Sequence, residues 1–137
     1  MYNYHALIGI EKSSDLYQNF EKYLNDTPIN RENNISTNTS YDLEILYKNS
    51  GILVTFLEEK VIGVKVYFSP SPIALTFKGE FVYGLSHISS ENDIRKQFNF
   101  PKNLNIEPMR SDNLYQYENC TVAFDAMTGE INYAEIR

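Results

Sequence analysis

The strongest constraint in this chain is a change of hydrophobic period. From Tyr41 onward apolar residues recur at every second position, the spacing that puts alternate side chains on opposite faces of a β-strand. Leu43, Ile45 and Tyr47 alternate with Asp42, Glu44 and Leu46. Ile52, Val54 and Phe56 follow the turn signal Asn49-Ser50-Gly51, and Ile62, Val64, Val66 and Phe68 follow the polar link Glu58-Glu59-Lys60. Ser69-Pro70-Ser71-Pro72 stops that run, because proline donates nothing to a ladder. Ile73, Leu75 and Phe77 predict a fourth strand, ended by Lys78-Gly79. Consecutive strands with links this short pair antiparallel, so the pattern predicts a meander.

Helical spacing occurs in two places. Leu16, Phe20, Tyr23 and Leu24 predict one apolar stripe of an N-terminal helix, capped by Ser13 or Ser14, with Asp15 in its first turn. Ser90 and Asp93 predict the start of a second, short helix carrying Ile94 and Phe98, which Phe100-Pro101 ends. Tyr115 and Tyr117, then Val122 and Phe124, then Ile131 and Tyr133 mark closing strands, with Asp125–Gly129 as the last hairpin loop. The expected fold is α+β: an antiparallel meander sheet with an N-terminal helix and a second short helix before a C-terminal hairpin. The 137 residues fit one domain, 1–137. Residues 25–40, rich in Asn, Ser and Thr, read as a flexible loop. No internal repeat is evident, and residues 102–112 read as irregular.

Charge and composition narrow the function. The net charge is −6. It divides into −5 over residues 11–59, +3 over 60–102 and −4 over 103–137. An acidic surface repels nucleic acid and anionic membranes and attracts basic proteins. The single cysteine, Cys120, forms no internal disulfide, which fits a reducing, cytoplasmic location. Met1–His5 shows neither a basic stretch nor an apolar run, so no signal peptide or membrane helix is predicted. The sequons at Asn34, Asn38 and Asn119 carry no meaning without such a signal.

Chemistry is sparse. His5 and His87 are the only histidines, and both read as structural or surface residues. Cys120 opens an apolar strand and reads as an inert thiol. Metal-ligand spacing, a glycine-rich phosphate loop and a dinucleotide fingerprint are all missing from the sequence, so no metal, cofactor or catalytic residue is expected. Carboxylates interleaved with tyrosines are the more informative feature. Tyr41, Asp42, Glu44, Tyr47, Glu58, Glu59, Asp112, Tyr115, Tyr117 and Glu118 form the candidate partner-binding set. Rings bury area at low entropy cost, and charges steer encounter and fix register. An ordinary polar sheet face is the competing reading of the same residues.

From Phe77 the order of motifs is Phe77-Lys78-Gly79, Tyr83-Gly84-Leu85-Ser86, Ser90-Glu91-Asn92-Asp93-Ile94 and Phe98-Asn99-Phe100-Pro101. Val122-Ala123-Phe124-Asp125 and Gly129-Glu130-Ile131 complete it. Over residues 51–136 this resembles small bacterial immunity proteins of contact-dependent growth inhibition and pyocin-type systems, with Asn99 where that pattern has glycine. The cadence also resembles β-lactamase inhibitor proteins and the repeat of outer-membrane-assembly lipoproteins, which are exported binding modules. The first resemblance implies a cytoplasmic antitoxin, a monomer or a heterodimer with a basic toxin domain such as a nuclease. Two other classes stay open. One is a small enzyme or ligand carrier with an aromatic pocket, His87 being its better titratable candidate; the other is an accessory structural subunit.

Overall fold

The computed structural model describes residues 2–32, 40–98, 102–103 and 112–137. Helix α1 (Asp15–Leu24) starts where the sequence placed it, with Ser14 Oγ accepting the Tyr17 N–H at 3.2 Å. It ends at Asn25, in the left-handed conformation that closes many helices. Its buried stripe is displaced from the expected one. Tyr17 and Phe20 face the core, while Leu16 is 42% exposed and Tyr23 59%. A tyrosine can occupy the buried position because its hydroxyl is bonded there, to the Tyr47 hydroxyl at 2.7 Å.

Eight described strands form one antiparallel sheet: β1 (Pro28–Glu32), β2 (Leu43–Tyr47), β3 (Ile52–Leu57), β4 (Lys60–Tyr67), β5 (Lys102–Asn103), β6 (Asp112–Tyr117), β7 (Cys120–Asp125) and β8 (Ile131–Ile136). Their order is β1-β2-β3-β4-β8-β7-β6-β5. Helix α2 (Glu91–Phe98) has the Ser90 cap, whose Oγ accepts the Asp93 N–H at 3.1 Å. The fold is therefore α+β, as the change of period predicts.

Three local expectations fail. Residues 28–32, read as part of a flexible loop, are an edge strand that β2 holds from Pro28↔Tyr47 to Glu32↔Leu43. Polar residues suffice there because backbone pairing makes the strand, and all five side chains are exposed. Residues 33–39 lie outside the described residues, as does most of the expected irregular stretch 102–112. The predicted fourth strand at Ile73, Leu75 and Phe77 does not form. The ladder edge of β4 is occupied by β8, so the chain crosses the sheet end, with Leu75 N–H donating to Lys48 and Phe77 N–H to Tyr67. This crossing requires Gly51, whose φ is +70° and whose Cβ would stand 2.5 Å from the Leu75 carbonyl oxygen. Finally, a bulge makes Thr55 pair with Gly63 but Phe56 with Val61. The inserted Ile62 flips the phase, so Val61 is buried and Ile62 half-buried.

The two halves of the chain repeat one plan that the sequence reading missed: a serine-capped helix followed by four meandering strands. Their last strands, β4 and β8, pair antiparallel, which makes the strand order palindromic. The second half has its own bulge at the matching place, Ala123 pairing with Tyr133 but Phe124 with Ile131. In both halves the stretch before the helix bridges the final hairpin, Glu11 to Lys60 and Ser90 to Glu130. Across the sheet, paired residues share a face. The row Tyr47–Ile52–Val66–Ala134–Val122–Tyr115 is buried throughout, under both helices. No helix among the described residues is long and apolar enough to cross a membrane.

Candidate protein-docking surface

The ten candidate residues are divided by strand parity. Tyr47 and Tyr115 fall on the helix-covered face and are fully buried. The Tyr47 hydroxyl donates to Glu21 Oε2 at 2.7 Å, and that of Tyr115 to the Glu91 carboxylate. Burial and the Glu91 bond push the Tyr115 hydroxyl up to about 12. Neither ring can grip a partner. Tyr117, on the same face, is half-buried, its ring edge-on to Tyr83 at 5.6 Å.

Glu44 lies on the opposite face but is only 6% exposed. Arg31 Nη2 reaches its carboxylate at 3.1 Å, and the Tyr41 hydroxyl is bonded to it, which raises the Tyr41 pKa. Glu44 thus anchors β1 to β2. Asp112 sits at the far end of the sheet, accepting from Asn132 Nδ2 at 2.7 Å. Glu118 occupies the β6–β7 turn, where Tyr83 donates to it at 3.4 Å.

What remains together is one corner. Asp42, Glu58 and Glu59 are all exposed, and Asp42 Oδ2 accepts the Glu58 N–H at 2.9 Å. Glu58 and Glu59 form the entire β3–β4 loop, with φ of 51° and 68°. Two-residue hairpins of this left-handed kind normally use asparagine and glycine, so two glutamates there are strained. The Asp42 bond ties the backbone of this loop to the residue before β2. Strand β1 adds Glu32, which lies in the stretch expected to be a loop. Glu32, Asp42 and Glu59, with Asn30 and Lys12, rim a cavity of about 290 Å³. Lys12 is its one cation among the described residues, and its backbone N–H also bonds the Glu59 carbonyl at 2.8 Å. The missed signal was the edge strand itself, since a five-residue polar strand has no apolar alternation to reveal it.

The histidines and the cysteine lie apart from this corner. His5 and His87 are exposed, His5 lying edge-on to Tyr83 at 5.5 Å. The Cys120 thiol is fully buried, and burial with the Glu135 charge raises its pKa to about 12. Among the described residues no group of three His, Cys, Asp or Glu is placed to hold a metal. A groove of about 690 Å³ runs between the end of α1 and residues 75–80, with Tyr2 stacked on Tyr23 at 4.9 Å along its wall.

Compared with known proteins, the chain matches no family model, no curated protein and no solved structure, so its fold and this acidic corner stand on their own geometry.

Proposed function

We propose that this protein is an immunity-type binding module that acts in the cytoplasm and neutralises a basic toxin domain, such as a nuclease, by docking it at the acidic corner. The observation that carries this reading is the convergence of Glu32, Asp42, Glu58 and Glu59, from the edge strand, the residue before β2 and the β3–β4 hairpin, on one corner of a chain whose net charge is −6. Such a corner raises the encounter rate with a cationic protein and fixes its register. A nuclease fits because the surface that holds its phosphate backbone is itself positive. The cadence of residues 51–136 supports the same class.

The test is co-expression of the full chain with the toxin-like polypeptide encoded in the adjacent gene. Wild type protects cells from growth arrest and co-purifies with that polypeptide. The exposed triple variant E32K/E58K/E59K loses both. Equal protection by the variant overturns the reading.

The groove beside α1 favours a second reading, a carrier of a small ligand with a flat apolar face. Its volume lies within the usual range for ligand sites, and the Tyr2–Tyr23 stack offers a ring surface. A ligand that quenches tyrosine fluorescence in wild type but not in Tyr23→Ala supports it; no quenching by aromatic or sugar probes removes it.

A further inference from the structure

We propose that β1 is an addition edge: an extended segment of the partner, alternating apolar and basic residues, pairs with its outer side as a further strand of the sheet. This rests on the docking function proposed above and specifies its mode. Strand β1 pairs only with β2, and among the described residues nothing pairs with its outer side. The opposite edge strand, β5, has two described residues.

Proteins guard exposed edges with proline, outward charge, bulges or covering loops. Here Pro28 stands only at the first position, and the pairing with β2 runs unbroken by a bulge. Arg31, the one cation of the strand, is held to Glu44 at 3.1 Å, its side chain still 64% exposed, and Glu32 gives the edge a charge that a basic segment complements.

The two flanks of β1 differ, and the difference specifies the ligand. On the open face Ile29, 48% exposed, borders Leu46, Leu53 and Ile73 around a cavity of about 60 Å³ whose lining also includes the Arg31–Glu44 ion pair. On the helix face Asn30 and Glu32 border the acidic cavity with Asp42 and Glu59. A strand laid beside β1 projects successive side chains to these two faces in turn. A side chain laid over Ile29 therefore meets an apolar floor, and its neighbours on the other face meet three carboxylates beside one lysine. Backbone hydrogen bonds supply affinity and the alternation supplies selectivity, as in other strand-addition complexes.

The experiment uses the full chain and a nine-residue peptide of alternating valine and lysine. Two further peptides keep its sequence and charge but carry N-methyl groups on one or the other set of alternate amides. The parent peptide is expected to slow hydrogen exchange at residues 29–32 at least tenfold. N-methylation of the set facing β1 should weaken binding at least tenfold, while the outward set is tolerated. Ile29→Asp should weaken the parent peptide by a similar factor. No binding, no protection at 29–32, or equal affinity of all three peptides overturns the inference. If all three bind equally and E58K/E59K abolishes that binding, strand addition fails while the acidic corner stands. Binding of the parent peptide that is indifferent both to salt and to E32K/E58K/E59K overturns the docking reading beneath it.

Discussion

Replacing Glu58-Glu59 by Asn-Gly should stabilise the protein while removing part of its docking surface. Both residues hold positive φ, 51° and 68°. Left-handed backbone costs a residue with a Cβ roughly 1–2 kcal/mol, and asparagine tolerates it better than glutamate. Glycine removes the penalty at position 59 but returns about 0.5–1 kcal/mol through the greater freedom of the unfolded chain. The Glu58 N–H to Asp42 bond is a backbone bond and survives the change. The net expectation is a gain of about 1 kcal/mol. With an unfolding entropy near 2.1 cal/mol/K per residue, 137 residues give about 0.29 kcal/mol/K, so Tm should rise by about 3 °C. Calorimetry, with urea denaturation at unchanged slope, measures it. The same variant should associate more slowly with its partner, the usual exchange of stability for function. A Tm that stays level or falls refutes the claim that the tip is strained.

Other variants probe the buried polar groups. Tyr47→Phe should cost about 1–3 kcal/mol, because it strips a hydrogen bond from both Tyr17 and Glu21, whereas Tyr17→Phe leaves the Tyr47–Glu21 bond and should cost less; urea titrations rank them, and the reverse order contradicts the network. Burial tends to raise the Asp26 pKa, but bonds from Ser50, Asn49 and Thr27 outweigh it, so the folded pKa is depressed. Its stabilisation is then present above the unfolded carboxylate pKa and disappears as pH falls through the folded value. Asp26→Ala should therefore lose most stability at neutral pH and converge with wild type in acid, which denaturation at several pH values checks. Cys120 should resist thiol reagents at pH 7 in the native state and react once urea unfolds the chain, its thiol being buried with a pKa near 12; rapid native labelling contradicts its place in the core.

Period and punctuation carried most of the fold. Strands β2, β3, β4, β6, β7 and β8 and both serine caps are legible because alternation, turn residues and capping chemistry are local. Sites of long-range competition were not. Ile73–Phe77 alternates like a strand, but β8, about 60 residues away in sequence, holds the edge it would need. Strand β1 carries one apolar side chain that could alternate, Ile29, too few to reveal a strand, and it forms by pairing with the ladder of β2. The repeat was hidden by loop lengths. Tyr47 matches Tyr117 at an offset of 70, Val54 matches Val122 at 68, and Val64 matches Ala134 at 70, because a four-residue turn in one half replaces a two-residue turn in the other. No fixed-period comparison finds that. At the candidate site, charge pattern named Asp42, Glu58 and Glu59, which the structure places together and exposed. It misjudged Tyr47 and Tyr115, because acid–aromatic interleaving does not say which parity faces the core.

The acidic corner is tested most directly by the association rate of the protein with its basic partner across ionic strength. Wild type should slow at least tenfold between about 20 and 200 mM salt, as charge-steered encounters do. E32K/E58K/E59K should start slower and vary little with salt. Identical rates and identical salt slopes for the two proteins would contradict the account.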